Sequence, residues 1–195
     1  MQKDSVRMGL PKSFLIALGS NLPSEVGTPL QTLEAALAAL AREGYSVEKV
    51  SRFYATPCFP AGLGPDYCNA CAMLDGPSDP ALLLAALHRV EAQFGRERER
   101  RWGSRTLDLD LLAAGETVMP NEAAQTRWRT LAMEKQTEVS PPELILPHPR
   151  LQDRAFVLVP LCDIAADWRH PLLGRTAREL CDALPEQARA EVVPM

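Results

Sequence analysis

Residues 106–112 read TLDLDLL, and this short run limits the fold more than any other part of the chain. Leu107, Leu109 and Leu111 alternate with Thr106, Asp108 and Asp110, a period of two that suits a strand and not a helix. The run therefore predicts a strand with one apolar face for a core and an opposite face bearing two carboxylates. Alternate residues on one strand face stand about 7 Å apart at Cα, so Asp108 and Asp110 can converge on one divalent cation or bracket two. Like charges side by side on a strand are unfavourable without a counter-ion. Such hard oxygen donors favour Mg²⁺, which commonly takes one or two protein carboxylates while phosphate oxygens fill other positions.

Just upstream stand Arg96, Arg98, Arg100, Arg101 and Arg105, with Trp102 among them. Guanidinium groups are planar, permanently charged and bidentate towards phosphate, so a loop of this composition could clamp a polyphosphate. A solvated helix of alternating charge is the ordinary explanation of a RERER run. Here Gly95 ends the preceding helical pattern and Trp102-Gly103 interrupts any amphipathic repeat. Trp102 is as good a candidate for core packing as for stacking on a heterocycle. The formal net charge of −4 makes the basic run a local feature and argues against a nucleic-acid-binding module.

The rest of the chain alternates strand and helix grammar. SFLIAL predicts a buried strand over 13–18, ending in the turn residues Gly19, Ser20 and Asn21. A helix follows, with Thr28 as cap, Pro29 at its first position, leucines at 30, 33, 37 and 40, and Gly44 at its end. YSVEKVSRFYAT predicts a second strand, and PCFPAGLGPD a loop suited to carrying binding residues. DYCNACAMLDG predicts a third strand with Tyr67, Asn69 and Cys71 on one face. A second helix runs from the cap Asp79 to Gly95. After 106–112 a hairpin through Ala114 and Gly115 into ETVMP is expected.

The resulting order, βαββαβ, predicts an α+β ferredoxin-like sandwich, an antiparallel sheet with helices on one face. With 195 residues, a single domain over 1–195 is expected, with a polar tail at 1–12, an insertion at 121–143 and C-terminal helices. No segment reaches the roughly 18 apolar residues of a membrane span, and FLIAL is too short for a signal peptide, so a cytoplasmic location is expected. Cys68 and Cys71 form a C-x-x-C, but residues three apart on a strand face opposite sides and no second pair completes a zinc site. They are expected to be reduced core residues.

Other positions carry weaker signals: Asn69 can make paired hydrogen bonds to an amide-like ring edge, His148 stands rigidly between prolines, and Arg154 and Phe156 offer a phosphate contact and an aromatic face. No serine, cysteine or histidine pattern points to nucleophilic catalysis, and no P-loop, kinase glycine loop or GxGxxG is present.

Taken together, the blocks ALGSNL, YxTP, DYxNA, GRxR, RWGxRTLDLDL and LPHPRxxxRxFVLxPL resemble the 6-hydroxymethyl-7,8-dihydropterin pyrophosphokinase family of folate biosynthesis, in order over about residues 13–175. The resemblance implies a ferredoxin-like fold, ATP as co-substrate, two Mg²⁺ ions, and transfer of pyrophosphate to the pterin hydroxymethyl group with release of AMP. It implies Asp108 and Asp110 as metal ligands and, with Arg96 and Arg105, as the catalytic set. It places Glu91, Arg98, Arg101, Trp102, His148 and Arg154 with ATP, and Thr56, Pro57, Tyr67, Asn69 and Phe156 with the pterin. A monomer without nucleic-acid or membrane partners is expected. The chain departs from the family pattern at Ser104, where proline is usual, at Cys58, where a second proline is frequent, and at Ile145, a position often threonine. A catalytically silent relative would need to lack a metal ligand, and both aspartates are present. The 121–143 insertion is expected to add a helix near the nucleotide or a contact surface.

Overall fold

Every strand needs a partner for its backbone, and six of them find one in a single antiparallel sheet. The computed structural model describes residues 13–58, 64–95, 105–132, 135 and 139–195. The strands are β1 (Phe14–Ser20), β2 (Ser46–Val50), β3 (Tyr54–Thr56), β4 (Tyr67–Asp75), β5 (Asp108–Ala114) and the short β6 (Val193–Pro194). Their order is β5-β1-β4-β3-β6, with β2 also pairing β4. Helices α1 (Pro29–Arg42) and α2 (Pro80–Gln93) connect them. Among the described residues the other α-helices are α3 (Glu122–Arg129), α4 (Ala155–Ala165), α5 (Ala177–Asp182) and α6 (Glu186–Ala190). This is the expected α+β ferredoxin-like arrangement with added C-terminal helices.

Alternation along the strands builds two cores. Phe14, Ile16 and Leu18 of β1, Ala70, Ala72 and Leu74 of β4, and Leu109 and Leu111 of β5 pack against Leu33, Leu40, Leu83 and Leu87 of α1 and α2. The opposite face carries Leu15, Cys71, Leu112 and Ala113, covered by Val157, Leu158 and Leu161 of α4 and by Leu180 and Cys181 of α5. Helices therefore lie on both faces, because the sheet leaves a second apolar patch that the C-terminal segment must close. Cys68 and Cys71 fall in different cores, as the period of two requires, and all five cysteines are free.

Three details differ from the sequence expectation. Strand β1 runs on through Gly19 and Ser20, because both remain paired with β4. The stretch 46–56 splits into β2 and β3, since Ser51 turns its hydroxyl to accept the Cys71 N–H at 2.9 Å in place of a backbone carbonyl. The hairpin after Ala114 does not form: Gly115 bends the chain at φ 53°, and Met119 instead makes an isolated bridge with Leu146.

Candidate active site

The sheet face turned away from α1 and α2 changes character along its length. Gly19 lies opposite both Asp108 and Asn69, and Ala17 opposite both Asp110 and Cys71. Directly opposed residues share a face, so Asp108, Gly19 and Asn69 form one row across β5, β1 and β4. Tyr54 of β3 extends that row, and Thr56 opposes Tyr67 in the next.

Within this end of the face, Asn69 is 6% exposed and its Nδ2 donates to Thr56 Oγ1 at 2.6 Å. That bond fixes one N–H of the amide, and an amide also offers a second N–H and an oxygen, the pair that an amide-like edge needs. Gly19 is required beneath it, since a Cβ there would stand 2.9 Å from Asn69 Oδ1. Tyr67 is half-buried, and burial pushes its phenol above the ordinary value while Arg105 pulls the other way.

Each aspartate faces an arginine. Arg105 Nη1 donates to Asp108 Oδ2, and Arg154 Nη1 lies 3.4 Å from Asp110 Oδ2. Burial opposes the charge on Arg105, but Asp108 beside it, with Tyr67 and Asp110 adding to its effect, raises its pKa overall. Arg154 also stacks on Phe156, with Cζ 5.6 Å from the ring centroid. Among the described residues no group of three or more His, Cys, Asp or Glu side chains could hold a metal ion. Two strand carboxylates alone suit Mg²⁺ arriving with phosphate oxygens rather than an all-protein cage.

His148 enters at the edge of β5. The register of β5 against β1 shifts between Leu111 and Ala113, leaving Leu112 without a partner on β1, and its carbonyl accepts His148 N–H at 2.8 Å. Arg150 N–H donates to His148 Nδ1 at 3.1 Å, so the proton of the neutral ring sits on Nε2. Burial of the ring, followed by the charge of Arg154, lowers its pKa to about 3. It is a neutral donor at ordinary pH.

The family model for 7,8-dihydro-6-hydroxymethylpterin-pyrophosphokinase matches residues 15–166. This chain belongs to that family. Its curated relatives include a 2-amino-4-hydroxy-6-hydroxymethyldihydropteridine pyrophosphokinase of Synechocystis, 36% identical over 92% of this chain and 80% of the relative. An enzyme of the same name from Pseudomonas aeruginosa is 38% identical over 87% of this chain and 90% of its own length. Among solved structures, wild-type Plasmodium falciparum HPPK-DHPS superposes with a TM-score of 0.62 at 14% identity, over 89% of this chain and 44% of that one. The chain thus spans less than half of that protein, and the likeness establishes the fold.

Within this pyrophosphokinase scaffold, Asp108, Asp110, Arg105, Arg154, Thr56, Tyr67 and Asn69 gather at one end of one sheet face. Pro57 follows Thr56 at the exposed end of β3, and Phe156 is 39% exposed beside Arg154. Glu91 is 1% exposed and its Oε1 accepts Leu109 N–H at 2.8 Å, holding β5 between the two aspartates. Ile145 is buried in the wall before Pro147. Arg96, Arg98, Arg100, Arg101, Trp102 and Ser104 lie outside the described residues.

Gly19 and Asn21 went unrecognised as site residues, because turn chemistry explained them well enough. Asn21, 2% exposed, accepts Arg105 N–H at 2.7 Å and donates to Pro65 O at 3.0 Å. It ties the end of β1 to Arg105 and to the segment leading into β4. Their place together in the ALGSNL block, next to the strand, was the available signal. Two cavities of about 380 Å³ lie elsewhere, one by Arg129 and Leu184 and one by Arg52 and Cys162, and neither includes an aspartate of the site.

Proposed function

We propose that this chain transfers pyrophosphate from ATP to the hydroxymethyl oxygen of 6-hydroxymethyl-7,8-dihydropterin, in a Mg²⁺-dependent reaction that yields the pterin diphosphate and AMP. The observation that carries this reading is the pairing of Asp108 with Arg105 and Asp110 with Arg154 on β5, two strands from the Asn69 amide that Thr56 holds on β4. Carboxylates suit a cation, guanidiniums suit phosphates, and a fixed amide suits a pterin edge.

Asp108 and Asp110 would hold the metal, two ions being expected with ATP. When bound, Mg²⁺ supplies neutralisation of phosphate charge. Arg105 and Arg154 orient the polyphosphate and share its charge, while His148 donates from Nε2. With Nδ1 already accepting Arg150 N–H, His148 serves as a donor and not as a base. Asn69 and Thr56 fix the pterin, and Tyr67 and Phe156 supply aromatic surface for its ring. Such transfer depends on in-line positioning and charge stabilisation, so it needs no covalent nucleophile. Arg96, Arg98, Arg101 and Trp102 complete the nucleotide side in this reading, and the enzyme works as a cytoplasmic monomer.

The test is to mix the protein with ATP, Mg²⁺ and the pterin and identify the nucleotide formed. AMP released only when the pterin is present supports the reading. ADP, or no turnover by folded protein, contradicts it.

A further inference from the structure

Helix α3 is an unusual attachment. Its eight residues, EAAQTRWR, bury only Gln125, which is 0% exposed. A surface helix ordinarily docks through an apolar stripe, and burying an amide is costly unless its hydrogen bonds are made. Gln125 makes them: Nε2 donates to Pro147 O at 3.1 Å, and Oε1 accepts Arg129 Nε–H at 3.3 Å. Asn121 caps the helix, accepting Ala124 N–H at 2.9 Å.

The carbonyl that Gln125 grips immediately precedes His148. Proline has no N–H, so that oxygen is the only main-chain hydrogen-bonding group Pro147 offers. Leu146 is held on one side by its two backbone bonds to Met119, and His148 on the other by Leu112 O. Gln125 supplies the remaining tie. Arg150, whose N–H sets the His148 ring, also reaches back to Leu131 O at 3.4 Å, just beyond α3.

We infer that Gln125 is a positioning residue: through the Pro147 carbonyl, the α3 segment fixes His148 in the nucleotide-side wall. The inference rests on the proposed reading for the identity of the ligand. It gives the segment the job of orienting a donor rather than adding core.

Gln125→Met matches the side chain in length and removes both hydrogen bonds. Gln125→Glu keeps an acceptor for Arg129 but, ionised, cannot donate to Pro147 O. Binding of Mg²⁺ with α,β-methylene-ATP and binding of the pterin are measured by calorimetry, alone and in a His148→Ala background. Both variants should weaken nucleotide binding about tenfold, the scale of one lost hydrogen bond to a buried group. Pterin affinity should stay within about twofold, and neither variant should have a further effect once His148 is absent. Unchanged nucleotide affinity, or a loss equally large without His148, overturns the inference while leaving the pyrophosphokinase reading standing.

Should the unaltered protein bind no nucleotide, that reading fails, and the imidazole ¹⁵N spectrum of the three histidines decides the positioning role by itself. Displacement of the His148 signals by Gln125→Met, with those of His88 unmoved, supports it. Unmoved His148 signals sink it.

Discussion

The two ends of one sheet face differ more than its two sides do. At one end, Leu15, Cys71 and Leu112 lie dry beneath Val157, Leu158 and Leu161. A few residues along the same strands, in phase, stand Gly19, Asn69 and Asp108. The same three strands run through both ends, interrupted only by the register shift at Leu112, so the change comes from side-chain choice at two-residue steps in three strands at once. Where the α4 cover applies, apolar residues stabilise the fold. Past it, polar residues are held by hydrogen bonds and ion pairs, and the face becomes available to a ligand.

The largest effect expected from breaking this contrast is at the aspartates. Asp108→Ala and Asp110→Ala should each lower turnover about a thousandfold or more, as expected for loss of an electrostatic anchor, with the far-UV spectrum unchanged. Undiminished AMP production by either variant would remove that carboxylate from the site. At the dry end the pattern reverses: Leu161→Ala should cost about 2–5 kcal/mol in urea unfolding, with KM values of the folded protein unaffected. A shift in substrate KM there would mean that the two ends are not separable.

Gly19→Ala probes the floor of the wet end. The added methyl would displace the Asn69 amide, so KM for the pterin should rise about tenfold while KM for ATP stays within about twofold. Equal effects on both substrates would place Asn69 elsewhere than on the pterin.

The smallest effect concerns pH. Burial holds His148 and His170 neutral, with pKa values of about 3 and about 4 against 6.5 for an ordinary histidine. Below 6.5 the unfolded chain then binds more protons than the folded one, so stability should fall as pH drops from about 6.5 towards 4. His170→Gln should flatten that slope in unfolding titrations, and an unchanged slope would show that His170 does not titrate in this way.

Much of this was legible because local patterns and tertiary packing agree. The LDLDL alternation, the Thr28 and Asp79 caps and the Pro29 and Pro80 starts specify their elements without help from distant contacts. The break at Ser51 was not legible, since it depends on Cys71 finding a side-chain oxygen twenty positions away. Nor was the role of Gly19, whose need for a bare Cα appears only when Asn69 lies across it. Helix α3 was visible as helix-prone sequence, but its attachment through Gln125 was not, because a polar residue in a polar helix gives no sign of burial. The second layer of helices was missed for a related reason: Leu15, Cys71 and Leu112 belong to three strands, and their patch exists only after pairing.

The most direct test of the account is where a metal–nucleotide complex sits on this face. Mn²⁺ with α,β-methylene-ATP, added in small amounts to ¹⁵N-labelled protein, should broaden the amide signals of Gly19, Asp108 and Asp110 most strongly. Those of Ile164, Leu180 and Cys181, at the covered end, should be affected least. Strongest broadening at the covered end, or none at the aspartates, would contradict the assignment of the site.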